Sequence, residues 1–129
     1  MANPVLRVEV WEGETIRFRD RLYMNSGSAM TSSNAQSAVV RVFDLSATAD
    51  ESDYLYTSTV TSTSMGSLVV ALTSWDVDDT GYNVSLTLPT STFTQQGGHV
   101  YGVEIAFSTS TDGTKRVMGE VRVLPVGSV

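Results

Sequence analysis

The chain contains one histidine, His99, which is its only imidazole for acid–base chemistry or metal ligation. His99 follows Gly97-Gly98 at the start of a predicted strand, a position typical of a surface turn residue. The members of a Ser-His-Asp triad need not be close in sequence, but the G-x-S-x-G nucleophile motif is missing. The chain has no cysteine, which excludes a thiol nucleophile, a disulfide and a zinc–thiolate site. We expect a non-enzymatic protein with no catalytic residue and no cofactor.

Carboxylates are concentrated in one short segment that contains Asp76, Asp78 and Asp79. Clustered carboxylates supply the hard oxygen ligands that calcium prefers, so these three residues form a candidate calcium site. An EF-hand loop would end in a bidentate glutamate, but Thr87 occupies that position, and the flanking segments have strand patterns. An acidic turn between strands is the interpretation that we favour. A second acidic group, at 50–53, is expected to be a solvated loop.

Asn83 begins the tripeptide Asn83-Val84-Ser85, which matches the acceptor pattern for N-linked glycosylation. The tripeptide falls within a predicted strand, whereas glycosylated asparagines lie on surface loops of secreted proteins. The residues Met1 to Pro4 lack the basic start of a secretion signal, and no apolar run approaches the roughly 20 residues of a membrane span. We therefore expect a soluble protein that is made in a cytoplasm, with no membrane partner and no glycan at Asn83.

Aromatic side chains are numerous enough to form a sugar-binding platform. Such residues in a sandwich are more often part of the core or of a protein interface, so both interpretations stay open. The candidates are Trp11, Tyr54, Tyr56, Trp75 and Tyr82.

Three arginines, Arg17, Arg19 and Arg21, project from one face of the predicted second strand. The formal net charge is −6, so this stripe is the only concentrated basic feature. An acidic chain is a poor general partner for nucleic acid, because phosphate binding requires a basic surface. The stripe is either a solvated outer face or a surface that pairs with an acidic neighbour or protects a sheet edge.

The elements that carry these residues are predicted to be strands. Apolar and polar residues alternate from Leu6 to Val10, from Ile16 to Leu22 and from Tyr82 to Leu88, as in half-buried strands. About eight such segments recur along the chain, and none has a helical period of useful length. The pattern predicts an all-β fold: a single immunoglobulin-like antiparallel β-sandwich of about seven or eight strands, covering 1–129 and ending in a hairpin.

A polar segment without a clear period, 24–37, is long for a loop in a compact domain. Loops of this length are often functional or are ordered by a partner. We therefore predict that Met24, Asn25 and Met30 contact a partner, together with the three arginines.

The C-terminal hairpin has two apolar faces that fix the parity of its register. Because a slip of one residue would mix the core and solvent faces, the connecting loop must hold an odd number of residues. A loop at 111–113 places Gly113 in the left-handed region and pairs Phe107 with Val117. The same register sets Glu104 opposite Glu120.

Three segments carry a resemblance to a known family. The stretch "GGHVYGVEIAFSTSTDGTKRVMGEVRVLP" resembles the ending of the immunoglobulin-like domains in tailed-phage virion proteins. The start, "VEVWEGETIRFRDRLYM", is similar to their opening strand, acidic-glycine turn and second strand. The phrase "WDVDDTGYNVSLTLPTSTF" resembles the strand and corner before their last hairpin. These segments cover about half of the chain in the order of the family.

This resemblance implies a structural protein of the virion with no catalytic residues. The baseplate members anchor a longer fibre, and the sequence stops at Val129 without one, which favours a capsid decoration or cement protein on the outer shell. Its expected partners are other virion proteins, the major capsid protein first, and further copies of itself in a homo-oligomer. A neck, tail or baseplate adaptor is the alternative, and a carbohydrate-binding sandwich module is the third.

Overall fold

The computed structural model describes residues 5–46, 55–75 and 81–126, which form eight strands and one short 3₁₀ helix. This secondary structure confirms the all-β prediction. The elements are β1 (Leu6–Trp11), β2 (Ile16–Asp20), β3 (Ala35–Asp44), β4 (Tyr56–Thr61), the 3₁₀ helix (Ser62–Ser67), β5 (Val69–Thr73), β6 (Tyr82–Leu88), β7 (Val100–Thr109) and β8 (Thr114–Leu124).

The strands form two sheets, one of five strands in the order β1-β8-β7-β3-β4 and one of three in the order β2-β6-β5. Successive side chains point to opposite faces of a strand, and the apolar residues of both sheets point to the space between them. The result is a β-sandwich with one shared core, as predicted. The buried hydrophobic residues of that core are Ile16, Phe18, Leu22, Met24, Met30, Ala35, Ala38, Val40, Val42, Met65, Leu68, Val69, Val84, Leu86, Leu88, Phe93, Tyr101, Val103, Ile105, Phe107, Val117, Val121 and Val123.

The prediction of a wholly antiparallel sandwich is wrong at one strand pair, because β1 runs parallel to β8. The turn after Trp11 carries the chain into the other sheet, so β2 pairs with β6 and forms no hairpin with β1. Leu6 lies beside Gly119, and Val8 lies beside Val121. This pairing places the alternate apolar residues of β1 on the inner face, next to the apolar face of β8.

The hairpin of β7 and β8 has the predicted parity but a register shifted by two residues. Phe107 lies opposite Lys115, and Thr109 donates its backbone N–H to the carbonyl oxygen of Gly113 at 2.9 Å. Three residues, 110–112, therefore separate this last pair. Gly113 has a φ of 70°, in the left-handed region as predicted.

The shifted register agrees with the charge on the outer face and the packing on the inner face. The shift sets Glu104 opposite Met118 instead of Glu120, and the Glu104 carboxylate accepts a hydrogen bond from Arg41 of β3 at 3.1 Å. On the inner face, Gly119 makes room for the ring of Phe18 from the opposite sheet. A β-carbon at Gly119 would lie 2.5 Å from Cε1 of that ring. The turn glycine alone therefore did not determine the register.

The outer face of the five-stranded sheet carries alternating charges. Arg7 of β1 makes an ion pair with Glu120 of β8 at 3.2 Å. Glu9 lies next to Arg122 in the same strand pair. Positive and negative side chains therefore neighbour each other across β1 and β8, which limits repulsion on this face.

Candidate partner-binding face

The strand β2 places two of the three predicted arginines on the outer surface of the small sheet. Ile16 and Phe18 are buried in the core, so the alternating residues Arg17 and Arg19 point away from it. Arg17 is exposed and Arg19 is half-buried. Arg21 follows directly after the strand and is also half-buried. The predicted stripe therefore lies at the surface.

Two of these arginines stack on aromatic rings. The guanidinium carbon of Arg19 lies 4.9 Å from the ring centroid of Tyr82, and that of Arg21 lies 5.3 Å from the centroid of Tyr23. Trp75 packs against the same Tyr82 ring, with 5.3 Å between the two ring centroids. Cation–π contacts of this kind contribute roughly 0.5–1 kcal/mol at exposed sites.

We call this surface the arginine–aromatic face and define it as Arg17, Arg19, Arg21, Tyr23, Trp75 and Tyr82. Stacking restricts the motion of the guanidinium groups, so less side-chain entropy is lost when they donate hydrogen bonds to a partner. Tyrosine, tryptophan and arginine are also the residues most enriched at binding hot spots. The arrangement therefore suits recognition of acidic groups next to an apolar surface.

The predicted sugar platform does not form a single flat surface among the described residues. The rings of Trp75 and Tyr82 are tilted by 58°, and Arg19 lies over Tyr82. Trp11 is 55% exposed but belongs to the other sheet. Tyr56 is half-buried in β4, and Tyr54 lies outside the described residues.

The structure corrects the role predicted for Met24 and Met30. Both methionines are core residues, with 7% and 1% of their surface exposed, so their side chains do not form a surface for a partner. In the sequence both methionines are surrounded by polar residues, so no apolar pattern indicated that they belong to the core. β3 also begins at Ala35, inside the segment predicted to be a loop.

Asn83 holds this loop against the small sheet through three hydrogen bonds. Its amide oxygen accepts from the backbone N–H of Leu22 at 2.8 Å. Its amide nitrogen donates to the carbonyl oxygens of Leu22 at 2.8 Å and Met30 at 2.7 Å. The side chain thus continues the hydrogen bonding of β6 where the chain after β2 turns away. We call this arrangement the Asn83 clamp.

Asn83 is only 1% exposed, so its amide nitrogen is inaccessible to a glycosylating enzyme. This burial agrees with the expectation that the sequon is not used. Sequence reasoning missed the structural role of the residue. The available signal was that asparagine is depleted in strands, and one that interrupts a strand pattern usually bonds backbone groups.

Asn25, the third predicted loop contact, is exposed but already makes contacts within the chain. Its backbone N–H donates to the carboxylate of Asp112 at 2.6 Å, and its side-chain oxygen accepts from the ammonium group of Lys115 at 2.7 Å. These bonds tie the loop to the turn of the last hairpin. Of the six predicted contacts, the three arginines are therefore the best placed for a partner.

His99 lies directly before β7, as predicted, and contacts one carboxylate. Its Nδ1 atom is 2.7 Å from Oδ2 of Asp44 at the end of β3. The imidazole also stacks on Tyr101, whose hydroxyl accepts a hydrogen bond from the backbone N–H of Gln96 at 2.7 Å. Burial raises the pKa of the Tyr101 phenol, and the nearby carboxylates of Asp44 and Glu12 act in the same direction. This cluster links the start of β7 to the end of β3.

The predicted calcium ligands Asp76, Asp78 and Asp79 lie outside the described residues, as does the acidic group at 50–53. Within 5–46, 55–75 and 81–126, no group of three or more histidine, aspartate or glutamate side chains is arranged to hold a metal ion. In the same ranges, no helix has the length and apolar character needed to cross a bilayer.

Comparison with protein-family models, curated proteins and solved structures found no match to this chain. The assignment of a role to the arginine–aromatic face therefore depends on its geometry and chemistry.

Proposed function

We propose that this chain is a non-enzymatic, immunoglobulin-like structural protein of a tailed-phage particle, which decorates or cements the outer shell of the capsid. The observation that carries the proposal is the arginine–aromatic face, a positive and partly apolar surface on a rigid sandwich. The resemblance of the three sequence segments to phage virion domains supports a role as a component of a phage particle. The proposed location is the virion, after synthesis in the host cytoplasm.

The charge distribution supports an acidic protein surface as the partner. The chain has a formal net charge of −6, so its long-range repulsion from acidic proteins must be overcome locally. Three arginines on one small surface supply that local attraction and orient the encounter. The complementary partner surface is an acidic patch with a neighbouring apolar area. The proposed partner that carries this surface is the major capsid protein.

A capsid-binding experiment tests this proposal. Purified protein is added to capsids that lack it, and bound protein is counted after sedimentation. The substitution Arg17→Glu reverses one exposed charge of the arginine–aromatic face without removing a stacked ring. We expect it to weaken capsid binding about tenfold, and we expect added salt to weaken binding of the unsubstituted protein.

Arg116→Glu is the matched control, because Arg116 is an exposed arginine on the opposite sheet. It should leave capsid binding unchanged. Absence of binding to capsids, with co-purification of the chain with tails, would overturn the decoration role in favour of a neck, tail or baseplate adaptor. Equal losses for Arg17→Glu and Arg116→Glu would show that the arginine–aromatic face is not the contact.

A further inference from the structure

The strand β1 is an edge of the five-stranded sheet, and its backbone polar groups on one side face away from β8. Glu12 donates its N–H to the carbonyl oxygen of Leu124 at the end of β8. Backbone groups of a strand alternate in direction with a period of two. The even-numbered residues of β1 therefore bond to β8. Arg7 and Glu9 direct their N–H and C=O groups to the other edge, which no further strand of residues 5–46, 55–75 and 81–126 pairs with; we call it the open edge.

The open edge ends at Trp11, where the chain satisfies its own backbone. Trp11 donates its N–H to the side chain of Glu14 at 2.8 Å and accepts from the Glu14 N–H at 3.0 Å. The part of the edge that an added strand can use is therefore short and centred near Val8. An open strand edge of this kind is a template for pairing with another chain.

The side chains of β1 are complementary to a second, antiparallel copy of the same strand. With Val8 opposite Val8 of the second copy, Arg7 lies opposite Glu9 of that copy, and Glu9 lies opposite its Arg7. Because Arg7 and Glu9 both direct their backbone groups outward, each such pair also exchanges two backbone hydrogen bonds. Moving the centre to residue 7 or 9 would oppose two arginines or two glutamates. Charge therefore selects the Val8 register.

The neighbouring strands extend this complementarity. Across the two copies, the sequence of charges on the outer face is Arg122, Glu9, then Arg7 and Glu120 of the second copy, so positive and negative groups alternate. Every neighbouring pair in this row is attractive, at separations typical of adjacent strands. The row on the other side of the axis is identical by symmetry.

The same register also covers exposed apolar residues. Trp11 and Val5 are 55% and 41% exposed, and the Val8 register places Trp11 of each copy opposite Val5 of the other. On the inner face, Leu6 and Val10 are only half-buried and lie opposite each other across the axis. Apolar side chains therefore meet apolar side chains at every position not occupied by an ion pair.

The other edge strands lack this self-complementarity. β2 carries Arg17 and Arg19, so an antiparallel self-pairing centred on residue 17, 18 or 19 would set arginine opposite arginine. The outward residues of β4 are threonines at 57, 59 and 61, which select no register by charge. The pairing of β5 is interrupted by an irregularity between Val69 and Thr73.

We infer that two copies of this chain dimerise through β1, antiparallel about a two-fold axis at Val8, to form a continuous ten-stranded sheet. The dimer requires no capsid partner, so it is tested on the isolated protein. A contact of seven residues per copy is small, so we expect a dimer dissociation constant of about 10 µM to 1 mM.

Charge reversal measured by sedimentation velocity tests the register. Arg7→Glu and Glu9→Arg each replace two attractive pairs with two repulsive ones, so each should raise the dimer dissociation constant about tenfold or more. An equimolar mixture of the two variants restores both opposite-charge pairs and should recover dimers. Arg17→Glu, on the other sheet, should leave dimerisation unchanged. A monomer at about 1 mM for the unsubstituted protein, or no effect of either reversal, would overturn the inference.

Cysteine trapping tests the axis independently, because the natural chain contains no cysteine. Val8→Cys places two thiols in a non-hydrogen-bonded pair with Cα atoms about 4.5 Å apart, within disulfide range. Leu6→Cys places them about 14 Å apart, since they are offset by four residues. We expect oxidation to cross-link Val8→Cys and not Leu6→Cys. Cross-linking of Leu6→Cys alone would refute the Val8 axis, and normal far-UV circular dichroism checks that each variant folds.

Discussion

Replacing Asn83 with alanine removes the clamp between β6 and the loop after β2. Two buried backbone groups then lose their partner, the N–H of Leu22 and the C=O of Met30. The C=O of Leu22 loses one of two hydrogen bonds and keeps the one from the N–H of Met30 at 2.9 Å. A buried polar group without a partner costs about 1–3 kcal/mol. Allowing for partial relaxation of the loop, we expect Asn83→Ala to lower the free energy of unfolding by about 2–4 kcal/mol.

This loss is large compared with the total stability of a small domain, which is about 5–15 kcal/mol. For a chain of this size, such a loss of free energy corresponds to a fall in Tm of about 8–15 °C. Equilibrium unfolding in urea, followed by tryptophan fluorescence, measures the free energy directly. The chain contains two tryptophans, Trp11 and Trp75, so no label is needed.

Asn25→Ala is the matched control, because it removes an amide of the same size from the loop that the Asn83 clamp holds. The Asn25 side chain is exposed and accepts one hydrogen bond from Lys115, so its loss should change the free energy of unfolding by about 0.5 kcal/mol or less. If Asn83→Ala lowered the free energy of unfolding by less than about 1 kcal/mol, or by no more than Asn25→Ala, the clamp would not stabilise the loop.

Two further predictions concern the core and the pH dependence. Gly119→Ala places a β-carbon against the ring of Phe18 and should lower the free energy of unfolding by about 1–3 kcal/mol, whereas Gly66→Ala, with open space around it, should change it little; equal effects in a urea titration would contradict the packing. Burial raises the pKa of Tyr101 in the folded state, so the unfolded chain releases this proton first and stability should fall as the pH rises above about 10. Tyr101→Phe should reduce this loss of stability at alkaline pH. If the free energy of unfolding of Tyr101→Phe fell with pH as steeply as that of the unsubstituted protein, the prediction would be wrong.

The strands were predictable because their residues alternate locally. Leu6 to Val10 and Tyr82 to Leu88 show the period of two without any knowledge of neighbours. The partner of a strand is a different matter, since the parallel pairing of β1 with β8 joins residues at opposite ends of the chain. Nothing in the local pattern of β1 distinguishes that partner from β2, the nearest strand in sequence.

Local sequence rules predicted the parity of the β7–β8 hairpin but not its exact register. Parity followed from the two apolar faces, and Gly113 adopts the predicted left-handed conformation. The register itself is shifted by two residues, so Glu104 lies opposite Met118 and not Glu120. Gly119 packs against the ring of Phe18 from the other sheet, and the turn sequence contains no information about such contacts between sheets.

The candidate site was predictable only where it depends on local alternation along a strand. Alternation along β2 was enough to place Arg17 and Arg19 at the surface. The stacking of Arg19 on Tyr82 depends on two strands far apart in sequence. The methionines of the loop were misjudged because burial there depends on the Asn83 clamp, which only the folded chain brings together.

The parallel pairing of β1 also governs when the sheet can be completed during synthesis. Arg7 and Glu120, which form an ion pair across these strands, are 113 positions apart. A ribosome adds about 5–20 residues per second, so β1 remains without its neighbour for several seconds after it is made. During that interval its apolar residues and both of its edges are exposed on the nascent chain. Contacts this distant in sequence also slow folding, so we expect the pairing of β1 with β8 to form late.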